Sequence, residues 1–194
     1  MFPPREDHAE TPPGRTREFS DSERSLLLKI AHQSIESALC HQPLWLDPPS
    51  GHLAQPRAVF TTLYLHSQLR GCVGYFEPVK PLYITVMETA RAAALDDTRF
   101  LPVSHDEAPE LKVSLSVLSS LRPISAEEIE IGVHGLVIAQ GFCRGLLLPQ
   151  VAVEHGWDRV TFLQQTCRKA GLSTDAWRQG VSLQAFTAEV FGDN

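Results

Sequence analysis

Hydrophobic residues recur along the chain with two different periods, which predict helices in some segments and strands in others. Leu27, Ala31 and Ile35 have the spacing of one face of an α-helix, and Ser20 and Glu23 before them have the spacing of a capping box. Helices are predicted on such patterns over residues 20–39, 82–94, 149–154 and 159–170.

Alternation of apolar and polar residues predicts the strands. Between Glu110 and Leu118, apolar residues alternate with Lys112, Ser114 and Ser116, which is the period-two pattern of a strand with one buried face. Strands are predicted over residues 58–66, 110–118, 131–138, 143–148 and 183–191. The third and fourth are expected to form a β-hairpin, and the last is expected to return to the main sheet.

Prolines mark the parts of the chain that are expected to lack regular structure. Residues 1–18 hold four prolines and a glycine among charged residues, and they are predicted to be a flexible N-terminal tail. Residues 43–57 are predicted to be a loop, which Trp45 is expected to pin to the body of the protein. No linker divides residues 19–194, so a single domain with two subdomains is predicted.

Composition narrows the class of protein. The chain has 194 residues, 43% of them hydrophobic, with 17 Lys and Arg against 23 Asp and Glu and a net charge of −6, and it shows no basic stripe. This balance argues against nucleic acid as a partner. No apolar run is long enough to span a bilayer, and the first residues lack the apolar core of a signal peptide, so a cytoplasmic location is expected without membrane attachment.

The four cysteines, Cys40, Cys72, Cys143 and Cys167, lie far apart in the sequence. Without a C-x-x-C pair they are expected to be thiols in a reducing compartment, and Cys167 is expected to be structural. No metal site is predicted, because no third or fourth ligand accompanies Cys72 and His134 at a recognisable spacing.

The segment Leu69-Arg70-Gly71-Cys72-Val73-Gly74 is the strongest candidate for chemistry. Gly71 and Gly74 are predicted to hold a tight turn that presents Cys72, and Arg70 is placed to favour the thiolate or to hold an anion. The alternative is that Cys72 is only a small buried residue within the turn.

Two further groups of residues are candidates. His134 lies in a predicted apolar strand beside Gly135, where a histidine is either a hydrogen-bonded structural residue or a catalytic one. Asp96, Asp97 and Arg99 follow the second helix, and they are expected either to pair on the surface or to line a pocket beside the cysteine.

Several ordered motifs resemble those of the AMMECR-domain family, known in prokaryotes as AmmeMemoRadiSam system protein A. The resemblance covers about residues 22–192. It is carried by residues 69–74, 94–100, 115–119, 133–136, 144–152, 166–172 and 186–191.

The resemblance implies an α+β fold, with a mostly antiparallel β-sheet flanked by helices in a larger subdomain and a smaller α/β subdomain beside it. It singles out Cys72 and His134 together, as nucleophile and as base or thiolate partner. The residues expected to bind substrate are Arg70, Gly71, Gly74, Asp96, Arg99 and Arg144.

The resemblance also implies partners, namely a Memo-type protein and a radical-SAM protein. The iron–sulfur cluster of the latter would lie on that partner, because this chain lacks a closely spaced cysteine triad; no cofactor is predicted here. The chain departs from the family at Ser114, where relatives often carry a glutamate, and Glu154, Asp96 or Asp97 are the candidate replacements. Two functions remain open: a cysteine-dependent enzyme acting on a small or modified substrate, and a non-catalytic binding or adaptor module.

Overall fold

The computed structural model describes residues 17–193, and the predicted tail lies outside the described residues except for residues 17 and 18. The fold is α+β, with two antiparallel sheets and four α-helices in the described part of the chain, which confirms the predicted fold class. The helices are α1 (Asp21–Leu39), α2 (Leu82–Leu95), α3 (Pro149–Glu154) and α4 (Arg159–Lys169). The strands are β1 (Val59–Leu65), β2 (Gln68–Tyr75), β3 (Leu111–Leu118), β4 (Arg122–Pro123), β5 (Gly135–Gln140), β6 (Cys143–Leu147), β7 (Ser182–Phe186) and β8 (Ala188–Gly192).

The described residues form two compact units. The first unit holds the chain up to Leu118 together with the residues from Glu189 onwards, and the second unit is the segment Ser119–Ala188. The second unit is therefore a continuous insertion between β3 and the end of the chain.

The first unit is a four-stranded sheet in the order β2-β1-β3-β8, with α1 and α2 supplying the rest of its core. Val59, Leu63 and Leu115 are fully buried on one face of the sheet, as the alternation of apolar residues predicts. Helix α1 begins with the predicted capping box, in which Ser20 and Glu23 satisfy each other's backbone N–H groups.

The second unit is a four-stranded sheet in the order β4-β7-β5-β6, and its core also includes residues of α3 and α4. Strands β5 and β6 form the predicted hairpin. Asp158 caps α4 by accepting the N–H of Thr161, and Cys167 is buried in the core as predicted.

Two expectations about local structure are wrong. The predicted strand 183–191 is divided at Thr187, because β7 pairs with β5 in the second sheet whereas β8 lies beside β3 in the first. Trp45 does not pin its loop, since it is 86% exposed. The buried anchor of that loop is Leu53, which lies in a short 3-10 helix over Gly51–Ala54.

All four cysteines are free thiols. In the part of the chain that the structure describes, no helix is both long enough and apolar enough to cross a membrane.

Candidate functional site

The glycine-flanked cysteine lies in a strand, and the prediction of a tight turn there is wrong. The turn is formed earlier by His66 and Ser67, which join β1 to β2 with φ values of 49° and 63°. Gly71 is instead needed for close packing, because a Cβ at this position would overlap the carbonyl oxygen of Ala93 in α2.

Gly74 has a similar role on the other face of the same strand. The aromatic ring of Phe60, which is the cross-strand neighbour of Gly74 on β1, occupies the space that a side chain at residue 74 would need. The two glycines thus let β2 pack against a helix on one face and against an aromatic ring on the other.

A β-bulge decides which face Cys72 occupies. In the register of β1 with β2, Tyr64 pairs with Leu69 but Leu63 pairs with Gly71, so Arg70 is the extra residue. The one-residue shift places Cys72 opposite Thr62. Both side chains then lie on the sheet face opposite to the helix-packed core, and Cys72 is partly exposed there.

The sulfur of Cys72 has a hydrogen-bond donor in Thr62, the residue opposite it on β1. The hydroxyl of Thr62 donates to Sγ, with an Oγ1–Sγ distance of 3.4 Å. Thr62 also pairs with Ser114 on β3, so Ser114 belongs to the same row, one strand beyond Thr62. Residues in such a row share a face of the sheet and are spaced by about 5 Å per strand.

The backbone of Cys72 is bound by two residues from the segment after α2. Asp97 accepts the N–H of Cys72 at 2.8 Å, and Arg99 donates from Nη2 to the carbonyl oxygen of Cys72 at 3.1 Å. Because β2 is at the edge of its sheet as the described residues build it, these side chains satisfy backbone groups that no strand within residues 17–193 pairs with.

Asp97 and Arg99 also bind each other. Arg99 donates from Nε to Oδ1 at 3.0 Å and from Nη2 to Oδ2 at 2.7 Å. This fork, together with the Cys72 N–H, holds the pKa of Asp97 far below its usual range, so the carboxylate is ionised. The bonds to Asp97 in turn raise the pKa of Arg99.

Arg70 has a different set of partners. It donates from Nε and Nη2 to the two oxygens of Glu107, and from Nη1 and Nη2 to the carbonyl oxygens of Leu101 and Pro102. The Arg70 guanidinium and the N–H of Ser104 lower the pKa of Glu107 to about 2. Arg70 therefore ties β2 to the segment 101–107, whereas Arg99 is the arginine that contacts Cys72.

Asp96 lies next to Asp97 in the sequence but has another role. It is the C-terminal cap residue of α2, is exposed, and forms an ion pair with Arg91 at 3.4 Å. Of the two neighbouring carboxylates, Asp97 is thus the one that binds Cys72.

The remaining predicted site residues belong to the second unit. His134 is 6% exposed and lies just before β5 rather than within a strand, because it closes a turn in which its N–H donates to Glu130 O. Its Nδ1 accepts the N–H of Glu130 at 3.1 Å, and its Nε2 lies 3.1 Å from Nη2 of Arg122.

Arg144 and Glu154 lie elsewhere in the second unit. Arg144 is an exposed residue of β6 opposite Ala139, and Glu154 is the exposed last residue of α3. Within residues 17–193, no cluster of three or more His, Cys, Asp and Glu side chains is placed to hold a metal ion.

Thr62 and Glu107 are members of the site that the motif-based prediction missed. The alternation in β1 was a usable signal for Thr62, since it places this residue on the less buried face of its strand. Its pairing with Cys72 depends on the bulge at Arg70, which alternation alone does not reveal.

Comparisons with known proteins agree on one family. The sequence model described as AMMECR1 matches residues 28–191. Protein Mbar_A1807 of Methanosarcina barkeri is 39% identical over 184 residues, covering 89% of this chain and 91% of that protein. A protein of Methanothermobacter thermautotrophicus is 42% identical over 186 residues, covering 91% and 97%.

A solved structure supports the fold. The crystal structure of Uncharacterized Protein PH0010 from Pyrococcus horikoshii superposes with a TM-score of 0.74 at 36% identity. The match covers 87% of this chain and 90% of that one.

Proposed function

This chain belongs to the AMMECR1 family, and from that premise we propose that it is a cysteine-dependent enzyme in which Cys72 is the nucleophile. The observation that carries the proposal is the environment of the Cys72 side chain. The hydroxyl of Thr62 donates to the sulfur, and the guanidinium of Arg99 is held next to Cys72 by its bond to the Cys72 carbonyl oxygen. A donated hydrogen bond and a nearby cation both favour a thiolate over a thiol, and the thiolate is the nucleophilic form.

The proposed chemistry is attack by the thiolate on an electrophilic atom of a small or modified substrate. The thiol first gives its proton to a base, and the sulfur electron pair then forms a bond to the electrophilic atom. The bond from that atom to its leaving group breaks, and the leaving group departs with the electron pair and takes up the proton. Asp97 acts as a positioning residue, since it binds both the N–H of Cys72 and the guanidinium of Arg99. His134 keeps its predicted role as base or thiolate partner, which the experiment below tests.

The cellular setting is proposed from the family resemblance alone. On that basis the protein acts in the cytoplasm together with a Memo-type protein and a radical-SAM protein. Co-purification of the three proteins, expressed together at equal levels, is the direct measurement; failure of both partners to bind would remove this part of the proposal.

The experiment for the nucleophile is the pH dependence of alkylation by iodoacetamide at each of the four cysteines, followed by mass spectrometry. We expect Cys72 to react faster near pH 6 than Cys40 and Cys143, although these two are more exposed. In Thr62→Val the alkylation rate of Cys72 near pH 6 should fall about ten-fold, because the hydrogen bond to the sulfur is lost. Ser114→Ala, in the same row but on the next strand, is the matched control and should leave it unchanged.

His134→Ala completes the series. A loss of Cys72 reactivity in this variant supports the predicted thiolate–histidine pair, whereas unchanged reactivity removes His134 from the mechanism. If Cys72 is inert up to pH 9 in the wild type, the nucleophile proposal is wrong.

A non-catalytic binding or adaptor module is the second candidate. It is favoured by the way Asp97 and Arg99 occupy both backbone groups of Cys72, which closes the edge of the sheet. In that case the motif serves to build the edge of the sheet, and the alkylation profile of Cys72 would match that of an ordinary partly exposed cysteine.

A further inference from the structure

Arg99 uses only part of its guanidinium within the protein. Its Nε and Nη2 atoms donate to Asp97, and Nη2 also donates to the carbonyl oxygen of Cys72. Its Nη1 atom forms no hydrogen bond to any of residues 17–193, and the side chain is 57% exposed. The two N–H groups of Nη1 are therefore available to a ligand.

The charge that faces solvent at this point is positive. The Asp97 side chain is 7% exposed, and both of its oxygens already accept N–H groups from Cys72 and Arg99. An anion that approaches from solvent thus meets the guanidinium rather than the carboxylate. Arginine is well suited to this contact because its planar N–H groups match carboxylate and phosphate oxygens.

The guanidinium is also held in place before any ligand arrives. Its Cζ lies 5.5 Å from the centre of the Phe100 ring, and the fork to Asp97 fixes the edge formed by Nε and Nη2. A side chain that is already ordered loses little further conformational entropy when it binds a ligand.

We propose that the substrate of Cys72 is an anion, and that Nη1 of Arg99 binds its carboxylate or phosphate group while the electrophilic atom lies at the Cys72 sulfur. This inference rests on the proposed function, since it names the substrate class of that same site. It assigns to Arg99 two contacts at once, one with the carbonyl oxygen of Cys72 and one with the ligand.

The test compares two alkylating reagents that differ mainly in charge. Iodoacetate and iodoacetamide react in the same way: the thiolate sulfur forms a bond to carbon, and iodide leaves with the electron pair of the broken carbon–iodine bond. We expect the ratio of the iodoacetate rate to the iodoacetamide rate to be about five-fold higher at Cys72 than at Cys40 and Cys143, as for an ion pair of ordinary strength. Site-resolved mass spectrometry on the full chain gives all three ratios in one experiment.

Two arginine variants decide whether Arg99 is responsible. Arg99→Gln should reduce the ratio at Cys72 to that of the other two cysteines, and Arg99→Lys should restore part of it. Arg91→Gln is the matched control, because Arg91 is also 57% exposed and is paired with an aspartate, Asp96. An unchanged ratio in Arg99→Gln, or an equal loss in Arg91→Gln, would overturn the inference.

Protection experiments on the wild type distinguish the two anionic groups without any variant. Inorganic phosphate and acetate are each added during alkylation by iodoacetamide, with chloride at equal ionic strength as the reference. Slower alkylation of Cys72 alone in phosphate supports a phosphorylated substrate, and the same effect in acetate supports a carboxylate. The inference would be contradicted if neither anion protects Cys72 and if the ratio of the iodoacetate rate to the iodoacetamide rate at Cys72 equals that at Cys40 and Cys143.

The result for the inference is separable from the result for the proposed function. Fast reaction of Cys72 with iodoacetamide but no preference for iodoacetate would leave the nucleophile in place and remove the anionic substrate. Slow reaction with both reagents would remove both.

Discussion

At the scale of single residues, Asp97 connects the backbone of Cys72 to the side chain of Arg99. Its carboxylate accepts four hydrogen bonds, one from the N–H of Cys72 and three from the backbone and side chain of Arg99. A buried acceptor with several charged or backbone donors is costly to remove, because the donors are left without partners. Asp97 is therefore expected to contribute to stability as well as to the geometry of the site.

Replacing Asp97 by Asn should lower the free energy of unfolding by about 2 kcal/mol at pH 7, because the ionised acceptor is lost. Since its pKa in the folded protein is below the ordinary value of 3.8, this contribution is complete above pH 3.8 and is lost as the pH falls towards the folded pKa. Urea unfolding of both proteins at pH 7, 5 and 3 measures the difference. Equal stability of wild type and variant at pH 7 would contradict the prediction.

Asp96→Asn is the control for that measurement. Asp96 is exposed and its ion pair with Arg91 is 3.4 Å long, so its removal should change the free energy of unfolding by less than about 0.5 kcal/mol. A similar loss in both variants would point to the charge of the loop rather than to the bonds of Asp97.

The sequence analysis identified several residues of the site as candidates, but it did not predict their contacts. Cys72, Arg70, Asp97 and Arg99 stood out because they lie close together in short motifs. Glu107 binds Arg70, whereas Arg99 reaches Cys72. Both contacts join segments about 30 residues apart, and the local sequence pattern does not encode contacts at that separation.

At the scale of elements, the close approach of β2 to α2 is the feature that positions the site. Gly71 faces the carbonyl oxygen of Ala93, and the helix carries a run of alanines at this contact. Small residues on both sides let the strand and the helix pack closely, which brings the segment after the helix within reach of Cys72.

Replacing Gly71 by Ala should destabilise the protein by about 3 kcal/mol, because the added Cβ overlaps the backbone carbonyl of Ala93 and the strand or the helix must shift. The same variant should change the alkylation rate of Cys72, since Asp97 and Arg99 follow directly from α2. Thermal unfolding by circular dichroism and site-resolved alkylation are the two measurements.

Gly141→Ala is the matched control for the glycine. Gly141 lies in the hairpin between β5 and β6, with φ of 59° and no atom within 4 Å of an added Cβ. Only backbone strain opposes this change, which should cost about 1 kcal/mol. If Gly71→Ala costs no more than Gly141→Ala, the close approach is not the reason for the glycine.

At the scale of the whole molecule, the second unit is an insertion whose two ends are bonded to each other. The N–H of Ser119 donates to Thr187 O at 2.9 Å, and the N–H of Thr187 donates to Oγ of Ser119 at the same distance. The unit also has its own core around residues such as Phe162 and Leu136, both fully buried.

We expect residues 119–188 to fold when expressed alone. A chain of roughly 70 residues with its own core is near the lower limit for independent stability, so the fragment should unfold cooperatively but with a smaller free energy than the full protein. Circular dichroism and urea unfolding of the fragment test this. Phe162→Ala in the fragment is the control and should abolish the transition, because it removes about 3–5 kcal/mol.

The sequence by itself determined where most of the helices and strands lie, which of their faces are buried, and which family the chain resembles. These follow from local physics, because capping, periodicity and turn chemistry act over a few residues. The predicted helix start at Ser20 and the hairpin of β5 and β6 match the structure for this reason.

Only the tertiary structure decided the register and the contacts that make the site. The predicted glycine turn is a strand in the structure, and the bulge at Arg70 places Cys72 opposite Thr62. The predicted strand 183–191 is divided at Thr187 into two strands that belong to different sheets. A shift of one residue moves every side chain of a strand to the other face, and its energy depends on distant packing partners. That is why the sequence identified Cys72, Asp97 and Arg99 as candidates, while only the structure identified Thr62 and the bonds by which Asp97 and Arg99 hold Cys72.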